Sequence, residues 1–143
     1  MYHRILVAIE HSTADETILK HVEQLARLTG ASLLLVHVAD GWVARHYDDL
    51  GLRESEEMQD DRAYLEQLVA KLNAAGLPTQ AKLALGDPAT ELIKTVGEES
   101  VDLLAMSTHG HRFLNDLIRG TTVDRVRHEV KVPILLLRAQ PGK

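Results

Sequence analysis

The chain has 143 residues with 16 Lys+Arg against 21 Asp+Glu, and its formal net charge of −5 argues against a dedicated nucleic-acid binder. The absence of cysteine excludes disulfide scaffolds, thiol catalysis, dithiol redox chemistry and Cys-ligated metals. Ordinary globular proportions, 45% hydrophobic and 26% charged, predict one domain over residues 1–143, and no apolar run nears the roughly 18–20 residues that cross a bilayer.

Met1-Tyr2-His3-Arg4 leads into a short apolar run with no A-x-A-like cleavage site behind it, so a cytoplasmic location without membrane association is expected. That run, Ile5-Leu6-Val7-Ala8-Ile9, reads as a strand covered on both faces. The period then becomes helical. Ile18, Val22, Leu25, Ala26 and Thr29 share a stripe, Thr13 and Glu16 have capping-box spacing, and Gly30 is a stop. Leu33-Leu34-Leu35-Val36 is a second strand. Residues 39–54 form a long irregular stretch with Trp42, His46 and Tyr47, a length typical of functional loops. Trp42 suits either a purine-stacking lid or a plug for its own loop.

The acidic run from Glu54 to Glu57, continued by Asp60-Asp61, reads as a solvated face at a helix start, where the dipole favours it. Leu65, Leu68, Val69 and Leu72 continue that helix until Gly76 and Pro78. Residues 80–85 alternate, as a strand near a sheet edge does. Asp87-Pro88 is an N-cap with first-turn proline before the stripe Ala89, Leu92, Ile93 and Val96. Leu103-Leu104-Ala105-Met106 is a fourth strand. Thr121 or Thr122 caps a last helix whose Val123, Val126 and Val130 face inward. Pro133 opens the fifth strand, where its missing N–H suits an edge or first position.

Strict β-α alternation predicts right-handed crossovers and a doubly wound α/β sheet, with ligands beyond the carboxyl ends of its strands. Residues 9–12, 38–40 and 106–110 end there. The last segment is the most informative: Gly110, nine residues, then Gly120-Thr121-Thr122 at a helix start. Glycines admit close backbone approach, and a helix N-terminus offers unpaired amides and a favourable dipole. His111, Arg112 and Arg119 add positive or polar groups between the glycines, and the whole reads as a phosphate cradle. Among the eight histidines, His11 and His109 follow the first and fourth strands, but no H-x-x-x-H pair supports them and no metal is expected. His37 reads as a satisfied strand-end histidine and His21 as solvated.

The stretch Leu103 to Gly110, the nine-residue spacer, Gly120-Thr121 and Val132-Pro133-Ile134-Leu135 resemble the universal stress protein family, as do Ile5 to Ile9 and Val36-His37-Val38. The resemblance implies a Rossmann-like open sheet of five parallel strands, order 3-2-1-4-5, with helices on both faces. It also implies a homodimer through the last strand, which is apolar on both faces and would otherwise invite aggregation. Nucleotide-binding members carry G-x-x-G, nine residues, then G-[S/T]; here Ser107 replaces the first glycine, and Glu10 stands where the first strand usually ends in Asp. The resemblance thus implies a regulatory module binding ATP, with or without Mg²⁺. Adenine would lie near Ala8, Ile9, Glu10 and Val38, ribose near Met106 and Ser107, and phosphates near Gly110, Gly120, Thr121 and Thr122. A positive φ at Ser107 would strain it; a negative φ would free its hydroxyl to donate to phosphate. A nucleotide-free interaction protein is the competing reading. No P-loop and no dedicated catalytic base are evident, so an enzyme is not expected.

Overall fold

The structure, a computed structural model, describes residues 1–40, 56–108 and 120–139. The order is β1 (Arg4–Ala8), α1 (Ala14–Thr29), β2 (Ser32–Asp40), α2 (Glu56–Ala74), β3 (Thr79–Gly86), α3 (Pro88–Glu98), β4 (Leu103–Thr108), α4 (Gly120–Glu129) and β5 (Ile134–Arg138). The five strands are parallel in the order β3-β2-β1-β4-β5, the order implied by the family resemblance.

Strand alternation sorts the core into two layers. Ile5, Val7, Leu33, Leu35, Leu103 and Ala105 face α1 and α2, whereas Leu6, Ala8, Leu34, Val36, Leu104 and Met106 face α3 and α4. β1 lies at the centre, and Ile5, Leu6 and Val7 are fully buried, each contributing about 1.5–3 kcal/mol of apolar burial. This explains the continuous apolar runs: a strand covered on both sides has no polar face.

The helix ends follow local chemistry. Gly30 adopts φ 77° and its N–H reaches the Ala26 carbonyl, a left-handed C-terminal cap. Asp87 caps α3 by accepting from the Thr90 amide at 2.9 Å, and that bond, with the Thr90 hydroxyl and Arg125, holds its carboxyl below the usual range. Arg125 of α4 reaches Asp87 at 3.0 Å and so ties α4 to α3. α4 begins at Gly120, which places Thr121 and Thr122 within its first turn rather than at the cap. At the opposite edge of the sheet, Asp102 accepts from the amides of His3 and Arg4 at 2.8 and 3.0 Å, pinning the start of β1 to β4.

Candidate functional site

The central strands β1 and β4 both end at the carboxyl edge of the sheet. The β1–α1 turn closes on a side chain of its own. Asp15, 1% exposed, accepts from the amides of Glu10 (2.9 Å), His11 (2.8 Å) and Ser12 (3.2 Å) and from the Tyr64 hydroxyl of α2 (2.7 Å). Burial, then the hydrogen bond to Asp15, pushes the Tyr64 phenol far above its usual range and keeps it a donor. The Thr13–Glu16 capping box does not form, since Thr13 makes no side-chain cap; Ser12 instead accepts from the Ala14 amide at 3.2 Å. With its three amides spent on Asp15, this turn has no amide nest left to offer an anion.

The β4 side differs. Ser107 pairs in register with Leu137 near the end of β4, is 1% exposed, and its hydroxyl has no hydrogen-bond partner among the described residues. Its φ is negative, because His11 and Ser100 alone among the described non-glycine residues have positive φ. The backbone strain foreseen for serine in a glycine position is therefore not incurred. Across the connection, α4 carries no acidic residue in its first turn, whereas α1 has Asp15 and Glu16 and α3 has Glu91. The first amides of a helix lack intrahelical acceptors and carry the positive end of its dipole. Gly120 and Thr121 open that turn, and Thr122 follows, half-buried. Gly110, with His109, His111, Arg112 and Arg119, lies outside the described residues, as do Trp42, His46 and Tyr47.

Ala8, Val38 and Met106 come together on the α3/α4 side, 3%, 3% and 0% exposed, as an apolar floor beneath the strand ends. Ile9 belongs to the opposite layer. Glu10 is half-buried in the β1–α1 turn with its amide on Asp15. Of the predicted residues, Ala8, Ile9, Glu10, Val38, Met106 and Ser107 lie at the ends of β1, β2 and β4, with the apolar ones divided between the two layers.

Sequence reasoning missed a buried polar cluster beside them. Asp61, read as part of a solvated acidic face, is instead 7% exposed, because it occupies the buried stripe of α2. It meets His11 Nδ1 at 2.7 Å and His37 Nε2 at 3.2 Å. His37, 6% exposed, also turns Nδ1 to the Ile9 carbonyl at 2.8 Å, as expected of a satisfied strand-end histidine. His11 stacks on Tyr64 with ring centroids 4.0 Å apart and holds φ at 62°, a region costing a non-glycine residue about 1–3 kcal/mol. The signal was available: Asp61 stands four residues before Leu65, seven before Leu68 and eleven before Leu72, the helical repeat of the buried face.

Comparison with known proteins fits this frame. The profile described as the universal stress protein family matches residues 1–138. Universal stress protein MJ0577 of Methanocaldococcus jannaschii is 25% identical over 155 residues, covering 96% of each chain, and YxiE of Bacillus subtilis is 25% identical over 150 residues, covering 96% of this chain and all of the relative. The solved structure of MJ0577 matches with TM-score 0.79 at 24% identity over 99% of both chains. One from Archaeoglobus fulgidus, in complex with dAMP, matches with TM-score 0.68 at 20% identity, covering 94% of this chain and 97% of that one. With the profile spanning nearly the whole sequence and the sheet order agreeing, the chain belongs to the universal stress protein family.

Proposed function

We propose that this chain binds an adenine nucleotide, ATP with or without Mg²⁺, across the carboxyl ends of β1 and β4, as a cytoplasmic homodimeric regulatory module. The observation that carries the reading is the buried Ser107 hydroxyl without a described partner. Left unsatisfied, such a group costs about 1–3 kcal/mol, and a ligand oxygen would remove that cost. The first turn of α4, free of carboxylates, suits the phosphates, and Ala8, Val38 and Met106 supply apolar surface for the nucleoside. Family membership supports the same class, since the Archaeoglobus fulgidus relative was crystallised with dAMP and another universal stress protein with cAMP.

Dimerisation draws support from β5, an edge strand with four successive apolar residues, none of them fully covered and Leu136 40% exposed. We assign no catalytic residue: the proposed role is to bind and report nucleotide. No described helix is long and apolar enough to cross a membrane.

The competing reading, a nucleotide-free interaction protein, draws on Ser107 itself, whose Cβ and hydroxyl occupy space that glycine leaves open. Titration calorimetry with ATP, AMP and cAMP decides between them. Nucleotide at a hundred times its Kd should raise stability by about 2.7 kcal/mol. No heat and no melting shift in the wild type, with binding gained in Ser107→Gly, would establish the nucleotide-free reading.

A further inference from the structure

His11 is held more firmly than a surface histidine needs to be. Its backbone takes φ 62°, its amide donates to Asp15 at 2.8 Å, and its ring stacks on Tyr64 with an interplanar angle of 17°. Its Nδ1 lies 2.7 Å from Oδ1 of Asp61, a side chain only 9% exposed. Strained conformations of this kind persist where the surroundings over-determine them, and they cluster at ligand sites.

The hydrogen bond to Asp61 also decides which ring nitrogen is left to act. A carboxylate only accepts, so Nδ1 carries the proton and the neutral ring keeps its lone pair on Nε2. Nε2 makes no hydrogen bond among the described residues, and 36% of the side chain is exposed. His37 shows the contrast: its side chain is buried and its Nδ1 is spent on the Ile9 carbonyl at 2.8 Å.

Resting on the nucleotide reading above, we propose that His11 Nε2 is a fixed hydrogen-bond acceptor that reads the exocyclic amino group of the nucleobase and so selects adenine over 6-oxopurines. A bare lone pair has no proton to give a phosphate oxygen, and the carboxyl groups of Glu10 and Asp15 beside it oppose an anion. The phosphates suit the first turn of α4 instead, which leaves the nucleoside toward the β1–α1 turn. The ring of His11 lies 6.4 Å from that of His37, the residue before Val38, and the Ile9 amide that leads into the turn donates to Val36 of β2 at 2.8 Å. The imidazole therefore stands beside the ends of β1 and β2, where Ala8 and Val38 supply apolar surface. Adenine presents a donor, N6–H₂, at the position where guanine and hypoxanthine present the acceptor O6. Only the donor complements the lone pair; O6 would set two acceptors against each other, because Asp61 holds the ring proton on the other nitrogen.

The test is calorimetric titration of the full chain with ATP and with ITP, its 6-oxo counterpart, at pH 8, joined to side-chain ¹⁵N NMR of His11. ATP should bind about tenfold or more tightly than ITP, the cost of one lost hydrogen bond and an unsatisfied acceptor. His11→Gln, whose amide rotates to present either oxygen or nitrogen, should bring the two within about threefold. The spectrum should show a protonated Nδ1, a bare Nε2 and a shift of the Nε2 resonance on adding ATP. Equal affinities in the wild type, an undiminished preference in His11→Gln, or a protonated Nε2 would overturn this role and leave nucleotide binding in place. Binding of neither nucleotide would overturn the nucleotide reading and this inference with it. Should His11→Gln fail to fold, the wild-type affinity ratio and spectrum decide: a ratio near one or a protonated Nε2 contradicts the role, and the expected pair supports it.

Discussion

Two neighbouring strand ends at the carboxyl edge of one sheet are finished in opposite ways. Each central strand is followed in the chain by a helix whose first amides lack backbone acceptors. The β1–α1 turn supplies its own anion: Asp15 takes three amides and the Tyr64 hydroxyl. The β4 side offers no carboxylate in the first turn of α4 and carries, one residue before the strand's end, a buried hydroxyl without a described partner. Self-satisfaction makes the β1–α1 turn a structural element, and the unmet valence at Ser107 and at the start of α4 suits them to a ligand. A carboxylate already inside a nest excludes a phosphate by both charge and volume.

The comparison breaks most visibly at Asp15. Asp15→Ala strands three amides and a phenol in a buried site, and at about 1–3 kcal/mol per unsatisfied group the loss should exceed 3 kcal/mol. Urea unfolding checks this, and a loss below 1 kcal/mol would mean that the turn does not depend on its carboxylate. Ser107→Ala should move stability the other way or not at all, by up to about 1–3 kcal/mol, because it removes an unsatisfied hydroxyl. The same variant should weaken ATP binding about fivefold, one neutral hydrogen bond of about 1 kcal/mol, by calorimetry. A variant both less stable and unchanged in affinity would reverse the roles assigned to the two strand ends.

Thr122→Asp sharpens the contrast by giving α4 the first-turn carboxylate that it lacks. A stability gain of about 0.3–1 kcal/mol from the helix dipole should accompany reduced ATP affinity, read by melting with and without nucleotide. The smallest effect lies at the far edge of the sheet. Burial opposes ionisation of Asp102, but the amides of Arg4 and His3 with the His3 ring outweigh it and hold the carboxyl below its ordinary value of 3.8. A depressed folded-state value means that the stabilisation is present above pH 3.8 and is lost as pH falls through the folded value. Wild type should therefore lose stability faster than Asp102→Asn on acidification below pH 4, with the two differing least in acid.

Much of the frame was legible because period and burial are both written in one dimension. The run Ile5 to Ile9 has no polar face, and Asp87-Pro88 begins a helix by local chemistry alone. What escaped depends on partners distant in sequence. Asp15 and Asp61 look like first-turn acids drawn by a helix dipole, yet each sits on an apolar stripe, beside Ile18 and Leu19 or ahead of Leu65. An acid on the buried face of an amphipathic helix must have polar partners waiting, and here they come from the β1–α1 turn, Tyr64 and His11. The local capping-box pattern at Thr13 and Glu16 gave way to that tertiary network. At Ser107 the sequence posed a question about φ that only strand pairing could answer.

The central claim is that nucleotide engages the end of β4 and the first turn of α4 while the turn after β1 stays closed upon Asp15. Amide hydrogen exchange, resolved residue by residue with and without millimolar ATP, tests it directly. Added protection at Gly120, Thr121 and Thr122, against unchanged and already slow exchange at Glu10, His11 and Ser12, is the predicted result. Protection gained at Glu10 to Ser12 with none at Gly120 to Thr122 would contradict it.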